Sequence, residues 1–177
     1  GPWGLLTGAV AVMGRVLLEP SLGGITALGD LVIGDGQSVD GFHMTDGTLD
    51  VGAHLVILLD YDGAFIQGGT VRMDGGTLVS SFLDSVGGAN VIRLGDADPD
   101  SSSFAGISGS GTIASRLLAV GSSYVEVPNH GSLTLDTSAE IFEQTPLNII
   151  NNLYIGENAQ FLHDAGFGAS VVSSDWL

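Results

Sequence analysis

Three aspartates alternate with other residues at Asp96, Asp98 and Asp100, and Ser101, Ser102 and Ser103 follow directly. Alternate carboxylates on one loop can converge on a hard cation such as calcium, which takes roughly six to eight oxygen ligands and accepts carbonyl and hydroxyl partners. The segment is not an EF-hand. Its loop glycine and closing glutamate are both missing, and Ala97, Pro99 and Ile107 stand where no ligand is supplied. Asp-Pro-Asp-Ser is also good turn chemistry on its own. The motif therefore reads either as a solvated turn or as a weak calcium site of the extracellular-module class at Asp96, Asp98 and Asp100.

The other residue types with chemical potential are scattered. His43, His54, His130 and His163 show no His-x-x-x-His spacing, and none lies beside a serine and an acid in a legible triad, so each reads as a solvated or corner histidine. Arg72 and Arg93 are 21 residues apart and each is flanked by aliphatics, which predicts a pair of outward arginines on one face. Such a pair would hold a carboxylate ligand, or form salt bridges to Asp74 or Asp96. Twenty acidic residues make carboxylate pairs at glycosidase spacing a matter of chance, so no catalytic residue is assigned. The aromatic residues, Phe104 and Tyr124 among them, read mostly as core or corner packing. Tyr61 and Tyr154 are expected to face out, where a ring can stack on a sugar.

Charge narrows the partners. The formal net charge is -16, the basic residues are Arg15, Arg72, Arg93 and Arg116, and lysine is absent. That balance repels nucleic acid and anionic lipid, and it suits poorly an enzyme that must hold an acidic polysaccharide in a cationic groove. Asp, three times commoner than Glu, offers short oxygen ligands from turns, so calcium is the one cofactor the composition suggests. Cysteine is absent, which removes disulfides, thiolate catalysis and the usual zinc sites. The acidic, lysine-free composition points to an extracellular or cell-surface location.

Behind these residues lies a repeat. Gly-Thr/Ser followed by an aliphatic recurs at Gly47-Thr48-Leu49, Gly69-Thr70-Val71, Gly76-Thr77-Leu78, Gly111-Thr112-Ile113 and Gly131-Ser132-Leu133. Two aliphatics flanking one residue and followed by glycine recur at Leu31 to Gly34, Leu49 to Gly52, Ile92 to Gly95, Leu118 to Gly121 and Leu153 to Gly156. Leu49, Val71, Ile92, Ile113, Leu133 and Leu153 lie 22, 21, 21, 20 and 20 residues apart, which predicts a period. Alternation within each unit is two-residue, as in Leu133 and Leu135, so the units are strands; helical spacing is missing. Gly69 and Gly76 open equivalent triplets seven residues apart, which divides each coil into three faces. Asp84 to Asn90 and Asp96 to Ser110 read as loops projecting from corners.

These observations predict an all-β fold: a single-stranded parallel β-helix, or β-solenoid, of about 20–22 residues per coil. Residues 1–24 are read as a tag remnant (Gly1-Pro2) plus an N-terminal strand or cap, 25–165 as the solenoid, and 166–177 as a C-terminal cap or tail. The apolar run Leu5 to Leu18 is too short to span a bilayer. Over about residues 25 to 165 the motifs resemble the passenger domains and haemagglutinin-like regions of bacterial surface and secreted proteins. The resemblance implies a right-handed helix. A left-handed hexapeptide helix is the competitor, through Ile33 to Ser38 and Ile155 to Gln160, but those hexapeptides are not in tandem.

The resulting functional expectation is a non-catalytic structural or adhesive module of a larger exported protein, with loops that meet a carbohydrate or protein surface ligand. The alternatives are a β-helical polysaccharide lyase or hydrolase, as the resemblance also allows, and a viral fibre or tailspike segment. Open solenoid ends further predict self-association unless they are capped.

Overall fold

Glycine at corners and aliphatics at every second position give a chain of short strands rather than helices. The structure is a computed structural model. It describes residues 6–7, 10–12, 16–18, 23–33, 42–59, 63–81, 91–98, 100–136, 152–155, 157–158 and 160–164. Among them every element is a strand, none is a helix, and all pairings are parallel. The fold is all-β, and its two sheets, of 12 and 5 strands, do not close into a barrel.

The pairings resolve into three ladders. The first runs through β1 (Leu6–Thr7), β4 (Gly24–Leu28), β7 (Thr48–Gly52), β10 (Gly69–Ser81), β12 (Ala105–Ile113), β14 (Ser123–Val127) and β16 (Asn152–Ile155). The second runs through β2 (Val10–Val12), β5 (Leu31–Ile33), β8 (Leu55–Leu59), the far halves of β10 and β12, β15 (Ser132–Asp136) and β17 (Gln160–Asp164). The third comprises β3 (Val16–Leu18), β6 (Phe42–Met44), β9 (Ala64–Ile66), β11 (Val91–Leu94) and β13 (Arg116–Ala119). From β1 to β13 the chain visits first, second and third ladder in fixed rotation. The N-terminal strands β1, β2 and β3 take part in it, paired to β4, β5 and β6.

Each ladder turns alternate rows of side chains, mostly apolar, to the interior. In the first, Ile25, Leu49, Val71, Ile107 and Val125 follow one another in register. In the second the row is Leu31, Val56, Leu78, Ile113 and Leu135. In the third, Ile92 lies between Ala64 and Leu117. All of these are buried except Ile25, which packs partly buried against the same core. Burying each large aliphatic stabilises by about 1.5–3 kcal/mol, and a one-residue slip would put a whole row in water, so register is strongly specified.

Glycine marks the start of three strands of the first ladder, β4, β7 and β10. Gly23, Gly47 and Gly69 have φ of 77°, 90° and 82°. They stack, with Thr48 N–H donating to the Gly23 carbonyl at 3.1 Å and Thr70 N–H to that of Gly47 at 3.0 Å. A side chain at Gly47 would meet the Gly23 carbonyl oxygen. The Gly-Thr triplet is thus a left-handed corner followed by the first residue of a strand.

The uniform period is corrected by the register. Leu49 and Val71 are neighbours, but Ile92 belongs to the third ladder, Ile113 and Leu133 to the second, and Leu153 pairs with Val125 in the first. Successive partners in the first ladder, from Leu6 and Ala27 onward, are 21, 24, 22, 36, 18 and 28 residues apart, so two of the six steps keep the 20–22 expected. Chain inserted between ladders lengthens some circuits without disturbing the inward rows. The triplet at Gly131 is likewise displaced by two residues, with Leu133 opposite Gly111, which preserves the facing of every side chain. Leu118 is in the opposite phase to that expected: it pairs with Arg93 on the outer side, while Leu117 and Ala119 are buried. The loop expected over Asp96 to Ser110 ends at Phe104, where β12 takes over. Asp84 to Asn90 and residues 166–177 lie outside the described residues.

Candidate binding surface

Two carboxylates of the acidic loop, Asp96 and Asp98, are spent on its own backbone. Asp96 Oδ1 accepts the Asp98 N–H at 3.1 Å, and Asp98 Oδ1 accepts the Asp100 N–H at 3.0 Å. Ser101 N–H donates to the Asp98 carbonyl at 3.0 Å, and Ser103 N–H to Ser101 Oγ at 3.2 Å. These are successive Asx and serine turns. Hydrogen bonds from the Asp98 N–H and then from Ser101 hold the Asp96 carboxyl below its usual range. Among the described residues no three His, Asp or Glu side chains are grouped to hold a metal.

The two arginines do not stack. Arg72 on β10 is opposite Asp50 and Ser108 in the first ladder, whereas Arg93 on β11 is opposite Phe65 and Leu118 in the third. Their equal spacing in sequence spans two different ladders. The Arg93 guanidinium carbon lies 4.8 Å from the Phe65 ring centroid, and His43, on the other side of Phe65 in register, has its ring 4.8 Å away. The third ladder's outer side thus carries a half-buried column of His43, Phe65 and Arg93 with a cation over an aromatic face.

The remaining histidines serve corners and strands. His54 donates its N–H to the Val51 carbonyl at 3.2 Å and accepts from Thr77 N–H at 2.9 Å. His130 has φ of 60° and donates its N–H to the Glu157 carbonyl at 2.9 Å. His163 lies on β17 opposite Leu135.

The most organised exposed constellation is one that sequence reasoning missed. On the outer side of the first ladder Thr48, Thr70, Gly106 and Tyr124 follow in register, and beside them runs the row Thr26, Asp50, Arg72, Ser108 and Glu126. The Tyr124 ring lies flat over Gly106, where an added methyl group would collide with the ring. Its hydroxyl thereby reaches Thr70, two strands away, with the two oxygens 3.1 Å apart. Phe104 stacks on Tyr124 at 5.4 Å between centroids and 20° between planes, and it is 51% exposed. Its backbone is fixed at the lip of the strand, the Phe104 carbonyl accepting the Gly69 N–H at 3.0 Å. Beside the rings, Ser108 Oγ donates to Glu126 Oε2 at 3.2 Å. Phe104 is therefore not a core residue: Ala105 takes the interior position, and the ring stands outside at the corner where β12 begins. The available signal was a glycine inside a strand; which aromatic covers it is set by strand pairing. Tyr61 lies outside the described residues.

Comparison with protein-family models, with curated proteins and with solved structures gives no match.

Proposed function

We propose that this chain is a rigid, non-catalytic module of a larger exported protein, a right-handed parallel β-solenoid that displays an interaction surface at the cell surface or outside the cell. The fixed rotation of the chain through three parallel ladders is the observation that carries this reading, because a solenoid is the simplest path with that order. Right-handedness follows the strong preference of parallel strand crossovers, and the resemblance in sequence points the same way.

The surface chemistry supports display over turnover. Asp50 Oδ1 accepts the Gly52 N–H at 3.1 Å, Glu126 accepts from Ser108, and Asp96 and Asp98 close turns. These carboxylates are engaged in holding the backbone and the outer rows in shape. A polar sheet face that carries one aromatic pair suits contact with a ligand surface.

The test is incubation with neutral and acidic polysaccharides, assaying reducing ends and unsaturated uronate products. The reading expects no product above the buffer control. Product formation that scales with protein and is lost on heat denaturation would replace it with the lyase or hydrolase alternative.

A further inference from the structure

We propose that the Phe104–Tyr124 pair is a binding platform for a pyranose ring of a neutral glycan, a deepening that rests on the display reading above. Four observations converge on it. The outer ring is accessible, with Phe104 at 51% exposure. The pair is pre-organised: Tyr124 is held flat by Gly106 beneath it and by Thr70 at its hydroxyl, and Phe104 is stacked on Tyr124. Ordering costs at binding are correspondingly small.

The flanking rows supply what a sugar's hydroxyls need. Arg72, Ser108 and Glu126 stand side by side in register, with Thr48 and Asp50 on the next strand. Donors and acceptors at strand spacing beside an exposed ring match a molecule with one apolar C–H face and a polar rim. The size of the apolar feature matters as well. Among the described residues the exposed large hydrophobics are Phe104, which directly precedes the first-ladder part of β12, and Leu55, which lies on the second ladder. A single ring pair inside polar rows covers one sugar ring, whereas a protein partner needs a wider apolar centre.

Charge selects the glycan class. The chain carries -16 overall, Asp50 and Glu126 stand in the row beside the platform, and the acidic loop of Asp96, Asp98 and Asp100 precedes Phe104 in sequence. A uronate or sulfated polymer would be repelled, so the ligand is a neutral glycan whose equatorial hydroxyls leave flat C–H faces, such as a β-linked glucan.

Heteronuclear NMR titration of the full chain with a β-1,4-linked glucose hexamer tests this, with an oligogalacturonate of equal length as the anionic arm. The hexamer should shift amides around Phe104, Ser108 and Tyr124, and the oligogalacturonate should shift none of them. Phe104→Ala should weaken binding about tenfold or more, while Leu55→Ala, on another ladder, should leave it unchanged. No shifts at millimolar hexamer, shifts mapping elsewhere, equal binding of the anionic oligomer, or unaltered affinity of Phe104→Ala would each overturn the proposal. None of those results bears on the absence of turnover expected above, so the two readings fail separately.

Discussion

The Tyr124 and Thr70 hydroxyls meet at 3.1 Å across a strand that neither belongs to, because Gly106 leaves the intervening position bare. Three strands of the first ladder, β10, β12 and β14, are thus tied on their outer side by one side chain. Gly106→Ala should displace the ring and cost about 1–3 kcal/mol through overpacking. Tyr124→Phe keeps the ring and loses only the hydrogen bond, about 0.5–1.5 kcal/mol. Chemical denaturation of the two variants checks the order; a Gly106→Ala protein as stable as the parent would show that the ring does not rest there.

Ser80 and Ser115 form a buried pair with unequal roles. Ser115 Oγ accepts the Ser80 N–H at 2.7 Å and has the Ser80 and Ala114 carbonyls at 3.0 and 2.7 Å, whereas Ser80 Oγ has no partner among the described residues. Ser115→Ala leaves a buried N–H unsatisfied and should cost about 1–3 kcal/mol. Ser80→Ala removes an unpaired hydroxyl and should be neutral or slightly stabilising. Equal losses in thermal or denaturant unfolding would contradict this asymmetry.

The inside and outside of this fold are legible in the sequence, and the stacking partners are not. Leu49 and Val51, or Leu133 and Leu135, announce their facing by two-residue alternation, and all four are buried. Which strand lies next depends on how much chain is inserted at a corner, which leaves no periodic trace: Val71 finds Ile107, passing over Ile92. The equal spacing of Arg72 and Arg93 predicts one shared face, yet the two residues fall on two ladders. The aromatic platform was hidden for a related reason, since Gly106 and Tyr124 become neighbours only through strand pairing.

Asp96 makes the loop pH-sensitive. Its folded pKa is depressed by hydrogen bonds from the Asp98 N–H and Ser101, so its contribution is fully present above the unfolded carboxylate value. That contribution is lost as pH falls through the folded pKa. Carboxyl-detected NMR titration should show Asp96 ionising below the ordinary aspartate range, and Ser101→Ala should move it back up. An Asp96 titrating at the ordinary value in the parent protein would remove the hydrogen-bonded turn from the account.

The rotation of the chain through three ladders is tested most directly by cross-linking, since the chain has no cysteine of its own. Asp50 and Arg72 are register neighbours on the outer side of the first ladder, and paired parallel strands lie about 4.8 Å apart, within disulfide reach. Asp50→Cys combined with Arg72→Cys should close an intramolecular disulfide on mild oxidation. Arg72→Cys combined with Arg93→Cys should not, because those positions occupy different ladders. A closed Arg72–Arg93 cysteine pair together with an open Asp50–Arg72 pair, read by mass spectrometry of the folded monomer, would contradict the three-ladder arrangement.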